Sequence, residues 1–350
     1  MKVKALHFGK AMSVALFVLL LVVVGSKNAL AQSLIATLQH GDTISTYYGA
    51  NAFVQAHDAA QTGDIITLSN GTFTATTITK AITLRGAGCY LDTVTGIQPT
   101  VFSSVVDANV PDEEHSLTIE GVNFSNFRFI LLNNPRFIKC HFFAFTTYYG
   151  SMQNAQFVNC RVSIPYGEFF YNNTFYATNT QFINCHVKTE PSNLKTVSII
   201  NSIVEFTNDG QVEMLASNSI FYSRANAWYS YYSIDASGSI IHNCVAMHLS
   251  GMMDYQDTTN LVEHDFGDVF ETYDGYELDF SNQIYESFDL TSDFTSTFTG
   301  SDGTEVGIHG GLAPYTSRPN YMVLKQCNVA SQSTIDNKLS VEIQVFSEGE

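Results

Sequence analysis

Cysteine and histidine recur as neighbours along the chain, and these residue types would first suggest metal binding or nucleophilic catalysis. Cys140 precedes His141, and Cys185 precedes His186. Adjacent side chains on a strand point to opposite faces, so such a pair cannot share a metal ion or act as nucleophile and base. We interpret the pairs as inward cysteines and outward histidines. The chain also contains no phosphate-binding loop, no G-x-S-x-G motif and no H-E-x-x-H motif.

Clusters of aromatic residues beside small polar residues offer a different chemistry, which is carbohydrate binding. Rigid amphipathic rings stack on sugar faces, while neighbouring amides and hydroxyls bond to sugar hydroxyls. A cluster of this composition occupies residues 169–173. The alternative is that the rings cover the outer surface of the fold or pack beneath a loop. The residues predicted to bind carbohydrate are Tyr148, Tyr149, Trp228, Tyr229, Tyr231 and Tyr232.

Carboxylates are concentrated between residues 254 and 279, and calcium prefers such oxygen ligands. The segment matches no spaced consensus for a calcium loop. No other metal or cofactor is expected, so calcium is the one cofactor that the sequence leaves open. The candidate ligands are Asp265, Asp268, Asp274 and Asp279.

The N-terminus has the pattern of a secretory signal peptide over residues 1–31. Lysines precede an apolar run from Ala11 to Val24, and a small-x-small cleavage signal ends at Ala31. We expect cleavage near Ala31 and a mature protein that is secreted, periplasmic or bound at the cell surface. No second long apolar run follows, so no membrane span is expected in the mature protein.

The mature chain is strongly acidic. The full chain has a net charge of −17, and residues 1–31 contain four of its 16 Lys and Arg but none of its 33 Asp and Glu, which leaves −21 for the remainder. Such a surface repels phosphate backbones, so nucleic acid is not expected as a partner. It also repels polyuronates unless divalent cations bridge the two. The simplest interpretation of the charge is solubility outside the cell.

A phrase of an apolar pair, a polar residue and a small residue recurs and predicts the architecture. Its clearest copies are residues 137–140, 157–160, 182–185 and 199–202. The small residue returns at intervals of 17 to 25 residues, which indicates a solenoid. Short β-branched and aromatic runs broken by Asn, Gly and Ser favour a β-solenoid. Asn is expected at the bends because it tolerates the left-handed conformation.

The cysteines of this repeat are predicted to point inward as free thiols. Apolar residues alternate after each cysteine, so the cysteine shares the buried face. Ser202 and Ser219 take the same position in later copies, which packing allows and cross-linking does not. Cys89 and Cys327 lie outside the repeat and have no assigned place.

Three stretches carry a resemblance to a known group of proteins. Residues 63–72 read GDIITLSNGT, residues 81–88 read AITLRGAG, and residues 302–311 read DGTEVGIHGG. They resemble the opening and closing motifs of secreted bacterial proteins with the pectate-lyase-like fold, most of them of unknown function. The resemblance implies an all-β, single-stranded right-handed parallel β-helix. A coil of roughly 20–25 residues then gives about ten rungs between Asp64 and Gly311. The resemblance also implies an N-terminal capping helix, expected at Ala50 to Gln61.

The expected domain organisation follows from these motifs. The β-helix with its N-terminal cap should span residues 32–312, and capping strands should span residues 313–350. An open end of the coil would expose a strand edge, so a C-terminal β cap is physically expected. The acidic stretch from 254 to 299 has no clean copy of the repeat and is interpreted as an excursion from the coil.

Proteins with the resembled fold include lyases and hydrolases, and the sequence can be searched for the residues that these enzymes use. Lyases of this fold use an Arg or Lys base with calcium-binding acids, for which Arg136 and Arg161 are the candidates, and hydrolases use paired Asp residues. Acids are sparse between Ser116 and Gly251. We therefore predict a non-catalytic protein whose partner is a polysaccharide or cell-surface glycan. A polysaccharide lyase or glycoside hydrolase is one alternative, and a purely structural or adhesin-like protein is another.

Overall fold

The computed structural model describes residues 34–92, 96–172, 174–223, 232–252, 257–263, 266–271, 288–316, 323–329 and 341–346. The expected signal peptide, residues 1–31, lies outside these ranges. Within the described part of the chain, no helix is long and apolar enough to cross a membrane.

Nine parallel strands stack into the first sheet of a β-helix, one strand for each coil. This confirms the parallel β-helix, with nine coils where about ten were expected. Buried residues alternate with more exposed ones along these strands, since neighbouring side chains point to opposite faces. The strands, which number the coils one to nine, are Ile65–Leu68, Thr83–Arg85, Thr118–Glu120, Arg136–Ile138, Gln156–Val158, Thr180–Ile183, Lys195–Ile200, Glu213–Ser217 and Ile240–His242.

A second sheet, also parallel, follows the first after a short corner in every coil except the second, where residues 86–99 intervene. Some of its strands bend and continue onto a third face, since Val122–Asn133 pairs with both His141–Phe142 and Phe145–Gln153. The remaining strands of the second face are Gly71–Phe73, Thr100–Val110, Arg161–Ile164, His186–Thr189, Ile203–Phe206, Ile220–Ser223, Val245–Met247 and Leu261–Glu263. The third face and its loops add Phe170–Tyr171, Thr174–Phe175, Ala177–Thr178, the 3-10 turn Pro191–Asn193, Gly210–Gln211, Tyr232–Asp235 and Leu249–Ser250.

A hairpin and a helix cover the N-terminal end of the coil. The first hairpin strand adds antiparallel to the first strand of the first sheet, so that edge is paired. The helix confirms the one predicted from Ala50 to Gln61, and its Phe53 packs edge-on against Phe102 at a ring-centroid distance of 5.0 Å. The hairpin strands are Ile35–His40 and Thr43–Tyr48, and the helix is Ala52–Ala59.

The corner between the first and second sheets holds one left-handed residue in each of seven successive coils. The next residue is small or β-branched and buried inside the coil. All five cysteines whose side chains the structure describes are buried and unbridged, which confirms the inward position and free thiols predicted for the four cysteines of the repeat. Cys89, which had no assigned place, is also buried. The left-handed residues, with φ between 46° and 67°, are Gly121, Lys139, Asn159, Asn184, Asn201, Asn218 and Asn243.

Residues 300–316, here called the strap, return over this corner in the direction opposite to the coils. The Ser301 N–H donates to the Asn218 side-chain oxygen at 2.9 Å. Further along the strap, the Asn184 amide donates to the Ile308 carbonyl at 2.9 Å. The DGTEVGIHGG motif lies within the strap, so it runs along the coil's corner.

The described part of the excursion forms an outer layer on the second sheet. Phe266, Phe288 and Phe294 are buried in one cluster with Ile220 and Tyr222, which point outward from that sheet. Within the stretch from 254 to 299 that was predicted to leave the coil, Leu261–Glu263 instead adds one more parallel strand to the second sheet. The described residues 266–271 and 288–299 follow the prediction, since they pack on the outer side of that sheet. Its helices are Phe266–Val269 and Ser292–Thr297, and the last described strands, Val323–Val329 and Val341–Phe346, pair antiparallel.

Candidate functional site

A bulge on the third face lifts one tyrosine away from the sheet. Between Thr147 and Ser151, the strand contains two more residues than the strand with which it pairs. Tyr149 at the tip has a left-handed φ of 57°, and its side chain is 81% exposed. Bulges re-aim side chains and are frequent beside functional sites. The bulge is therefore the first element of the candidate site.

Gly150 allows this bulge to lie close to the previous coil. A Cβ at this position would be 2.6 Å from the carbonyl oxygens of Phe129 and Ile130. The Thr147 hydroxyl accepts the Gly150 N–H at 2.7 Å and donates to the Phe129 carbonyl at 3.0 Å. The Thr-Tyr-Tyr-Gly sequence thus specifies both the close approach and the hydrogen bonds that hold the bulge.

The next coil contributes the loop 165–177 beside the bulge. Its hairpin turns through Asn172, which has a left-handed φ of 47°. The buried Asn193 side chain accepts the Phe169 N–H at 3.0 Å and donates to the Pro165 carbonyl at 2.7 Å. A buried amide with these bonds orders the loop.

Aromatic rings of the bulge and loop form what we call the aromatic surface. Tyr149 and Tyr176 are 6.0 Å apart between ring centroids with an interplanar angle of 66°, and Tyr166 and Tyr171 are 5.7 Å apart at 83°. The exposed fractions of Tyr166, Phe175 and Tyr171 are 63%, 42% and 39%. Clustered exposed rings of this kind mark interaction sites. The aromatic surface consists of Tyr149, Tyr166, Tyr171, Phe175 and Tyr176.

Glu168 joins the loop to the bulge. Its Oε2 accepts the Thr147 N–H, and no partner for its Oε1 is found in the part of the chain that the structure describes. Burial raises the pKa of this half-buried carboxyl above its ordinary value, and the bond from Thr147 opposes the rise. The site therefore combines exposed rings with one partly desolvated carboxylate.

The predicted carbohydrate-binding residues have different positions. Tyr149 is central to the aromatic surface, and Tyr148 precedes it in the same strand. Tyr232 lies further along the third face and packs partly against the core. Three of the predicted residues lie outside the described ranges, namely Trp228, Tyr229 and Tyr231.

Sequence reasoning did not select Glu168, Tyr166, Phe175 or Tyr176. The aromatic cluster at 169–173 was the available signal, since its rings stand beside turn-forming Asn residues. These residues meet the bulge because they lie one coil later in the chain. Whether the loop of one coil lies beside the bulge of the coil before it depends on the lengths of the connections within both coils, and no local sequence pattern specifies these lengths.

The two candidate lyase bases lie on different faces of the coil. Arg136 is exposed on the first sheet, next to Gln156 of the following coil. Arg161 is half-buried on the second sheet, between His141 and His186 of the adjacent coils. Burial, with a smaller contribution from the Arg161 charge, lowers the pKa of His141 to about 3. The structure does not bring the two arginines together.

A buried polar cluster lies beneath the excursion on the second sheet. Glu205 pairs with the Lys188 ammonium at 2.9 Å and accepts the Tyr222 hydroxyl at 3.2 Å. The His186 ring lies 3.4 Å from that hydroxyl and 4.9 Å, between centroids, from the ring of Phe288. Buried charges need such partners, so the cluster serves to satisfy polar groups beneath the outer layer.

Of the calcium candidates, Asp268 is exposed on the helix Phe266–Val269. Asp265, Asp274 and Asp279 lie outside the described residues. Among the side chains that the structure describes, no group of three or more His, Cys, Asp or Glu is placed to hold a metal ion.

The chain matches no family model, no curated protein and no solved structure. The resemblance to pectate-lyase-like proteins therefore stays a prediction from three motifs. The aromatic surface is therefore the feature from which a function is inferred.

Proposed function

We propose that the protein is a secreted β-helix that binds an extracellular glycan through the aromatic surface without altering it. The observation that supports this is the exposure of four rings on a bulge and a loop that hydrogen bonds hold in place. Sugar C–H faces stack on such rings, and a preordered site loses less conformational entropy on binding.

The ring geometry favours one form of glycan. In both pairs, Tyr149 with Tyr176 and Tyr166 with Tyr171, the ring planes are strongly inclined to each other. Rings at these distances touch edge to face and form an uneven surface, whereas a flat crystalline polymer needs coplanar rings. The expected ligand is therefore a soluble polysaccharide or a chain displayed singly at a cell surface.

Affinity electrophoresis of the mature protein through gels that contain single soluble polysaccharides tests this proposal. We expect retardation by at least one polymer and a five- to tenfold weaker affinity for Tyr149→Ala, about 1 kcal/mol for one lost stacking contact. Tyr48→Ala is the matched control, because Tyr48 is equally a surface tyrosine but lies on the N-terminal hairpin. Equal behaviour of the two variants, or retardation by no polymer, would overturn the proposal.

A polysaccharide lyase or hydrolase is the second candidate, and Glu168 is the observation that favours it. A half-buried carboxyl with a raised pKa has the property that a general acid needs. Release of reducing ends from the same polymers, measured with and without calcium, distinguishes the two functions. Activity that Glu168→Gln abolishes would establish catalysis, and calcium dependence would indicate lyase chemistry.

A further inference from the structure

Glu168 lies in the loop that carries four rings of the aromatic surface, and its carboxylate bonds to the bulge that carries the fifth. It stands in the loop between Tyr166 and Tyr171. Its carboxylate reaches Thr147, two residues before Tyr149, so it connects the two elements that carry the rings. Burial raises the pKa of this carboxyl, and the N–H that it accepts opposes the rise by stabilising the ionised form. A glycan lying on these rings would meet a negative charge.

An ionised carboxylate accepts hydrogen bonds and donates none. Sugar hydroxyls can donate to it, whereas uronate and sulfate groups bring a second negative charge into a partly desolvated site. Like charges at such an interface cost several kcal/mol. The overall charge of the mature chain acts in the same direction at longer range.

The side chain of Lys195 brings a positive charge to the loop. The Lys195 ammonium lies over the ring of Phe170, 4.2 Å from its centroid. The ring already interacts with this charge, and Phe170 is on the hairpin next to the aromatic surface. Lys195 is therefore the residue that would attract an anionic glycan if its positive charge had a larger effect than the negative charge of Glu168.

We infer that the aromatic surface takes an uncharged, hydroxyl-rich glycan, and that Glu168 accepts bonds from its hydroxyls and excludes uronic acid and sulfate groups. The inference rests on the proposed function, since it concerns the selectivity of that site. Glu168 thereby acts as the specificity-determining residue of a binding surface.

The test compares matched neutral and sulfated polymers, namely dextran with dextran sulfate and hydroxyethyl cellulose with cellulose sulfate. Dissociation constants are measured at pH 7.5 for the mature protein, Glu168→Gln, Glu168→Ala and Asp58→Asn. Gln keeps an oxygen for the Thr147 N–H, and Ala removes the charge without adding an amide donor, so whichever variant folds carries the test. Asp58 is an exposed acid of the N-terminal helix, and its substitution controls for net charge alone.

The mature protein should bind a neutral polymer at least tenfold more tightly than its sulfated counterpart, as expected for one unfavourable charge contact. The preference should fall to threefold or less in the Glu168 variants and persist in Asp58→Asn. An unchanged preference in a folded Glu168 variant would overturn the inference and leave glycan binding intact. A preference for sulfated polymer that Lys195→Met removes would also overturn it. If the protein binds none of the four polymers, the assignment of an uncharged glycan is overturned for dextran and cellulose chains. If the wider polysaccharide screen also finds no binding, the proposed function is overturned with it.

Discussion

At the corner between the first and second sheets, here called the first corner, the cysteine and serine residues act as hydrogen-bond acceptors as well as packing residues. The Cys140 N–H donates to Cys160 Sγ at 3.4 Å, and the Cys160 N–H donates to Cys185 Sγ at 3.3 Å. The Ser202 N–H donates in the same way to Ser219 Oγ at 3.0 Å. The sequence predicted inward thiols because alternation is local. It did not predict the acceptor role, because each acceptor belongs to the following coil.

Cys160→Ser and Cys160→Ala separate these two roles. Ala leaves the buried Cys140 N–H without an acceptor, so we expect the free energy of unfolding to fall by about 1–3 kcal/mol. Ser retains the acceptor, as in the natural copies of the phrase, and should lower stability by less than about 1 kcal/mol. Urea denaturation monitored by circular dichroism measures both. Equal losses would show that packing alone matters here.

His141 should make the protein sensitive to acid. Its pKa is about 3 in the folded state against an ordinary 6.5, so between these pH values the unfolded chain binds a proton that the folded chain does not. Stability should therefore fall as pH decreases from 6.5 towards 3, by at most about 1.4 kcal/mol per pH unit from this residue.

Urea titrations at several pH values in this window test the role of His141. His141→Gln should flatten the dependence of unfolding free energy on pH. The exposed His115, changed to Gln, is the control; its ring contacts Asp112 at 3.2 Å at the surface, where such a pair contributes little, so it should change the slope far less than His141→Gln does. A slope that both substitutions leave unchanged would assign the acid sensitivity to other groups.

At the scale of elements, the bulge depends on a glycine. In Gly150→Ala, the new Cβ would meet backbone oxygens that cannot move independently, so we expect a loss of roughly 1–3 kcal/mol and weaker glycan binding through displacement of Tyr149. Gly238→Ala is the control, since its Cβ would meet only the flexible Glu213 side chain at 3.2 Å. Unchanged stability in Gly150→Ala would mean that the bulge can relax.

The strap should be held by the corner asparagines. Asn184→Gly removes the amide that donates to the strap but leaves a residue suited to a left-handed φ. We expect a stability loss of about 1–3 kcal/mol and faster protease cleavage within residues 300–316. Asn179→Gly is matched, because Asn179 has the same left-handed φ but bonds only to the exposed Asn154. Equal cleavage of both variants would contradict this role.

The corner asparagines and the strap differ in how far the sequence predicts them. Left-handed asparagines follow from a local phrase, and their conformation was predicted. The strap was not, because Asn184 meets Ile308, a residue 124 positions away in the chain. Its motif was read as the closing of the coil, and the partner of that motif could not be identified from spacing.

At the scale of the whole molecule, the number of coils also could not be predicted from the local repeat. About ten rungs were expected because the repeat length was divided into all residues from Asp64 to Gly311. The chain leaves the coil after the strand Leu261–Glu263, and the described residues from 288 to 311 lie outside it, so nine rungs result. The third face was also not predicted, because the repeated phrase marks only the first corner. The bulge and the loop that carry the aromatic surface lie in that unmarked part of two successive coils.

The buried thiols also allow the opening of four of the coils to be followed separately. Cys140, Cys160 and Cys185 lie in coils four, five and six, and Cys244 lies in coil nine. Burial raises the pKa of the Cys160 and Cys244 thiols, the latter to about 12, so neither reacts with an alkylating reagent while its coil is closed. Pulsed alkylation followed by peptide mapping would thus record the order in which the coils open. The native cysteines thus report on four positions along the axis, and the order in which these coils unfold can be observed without introducing a label.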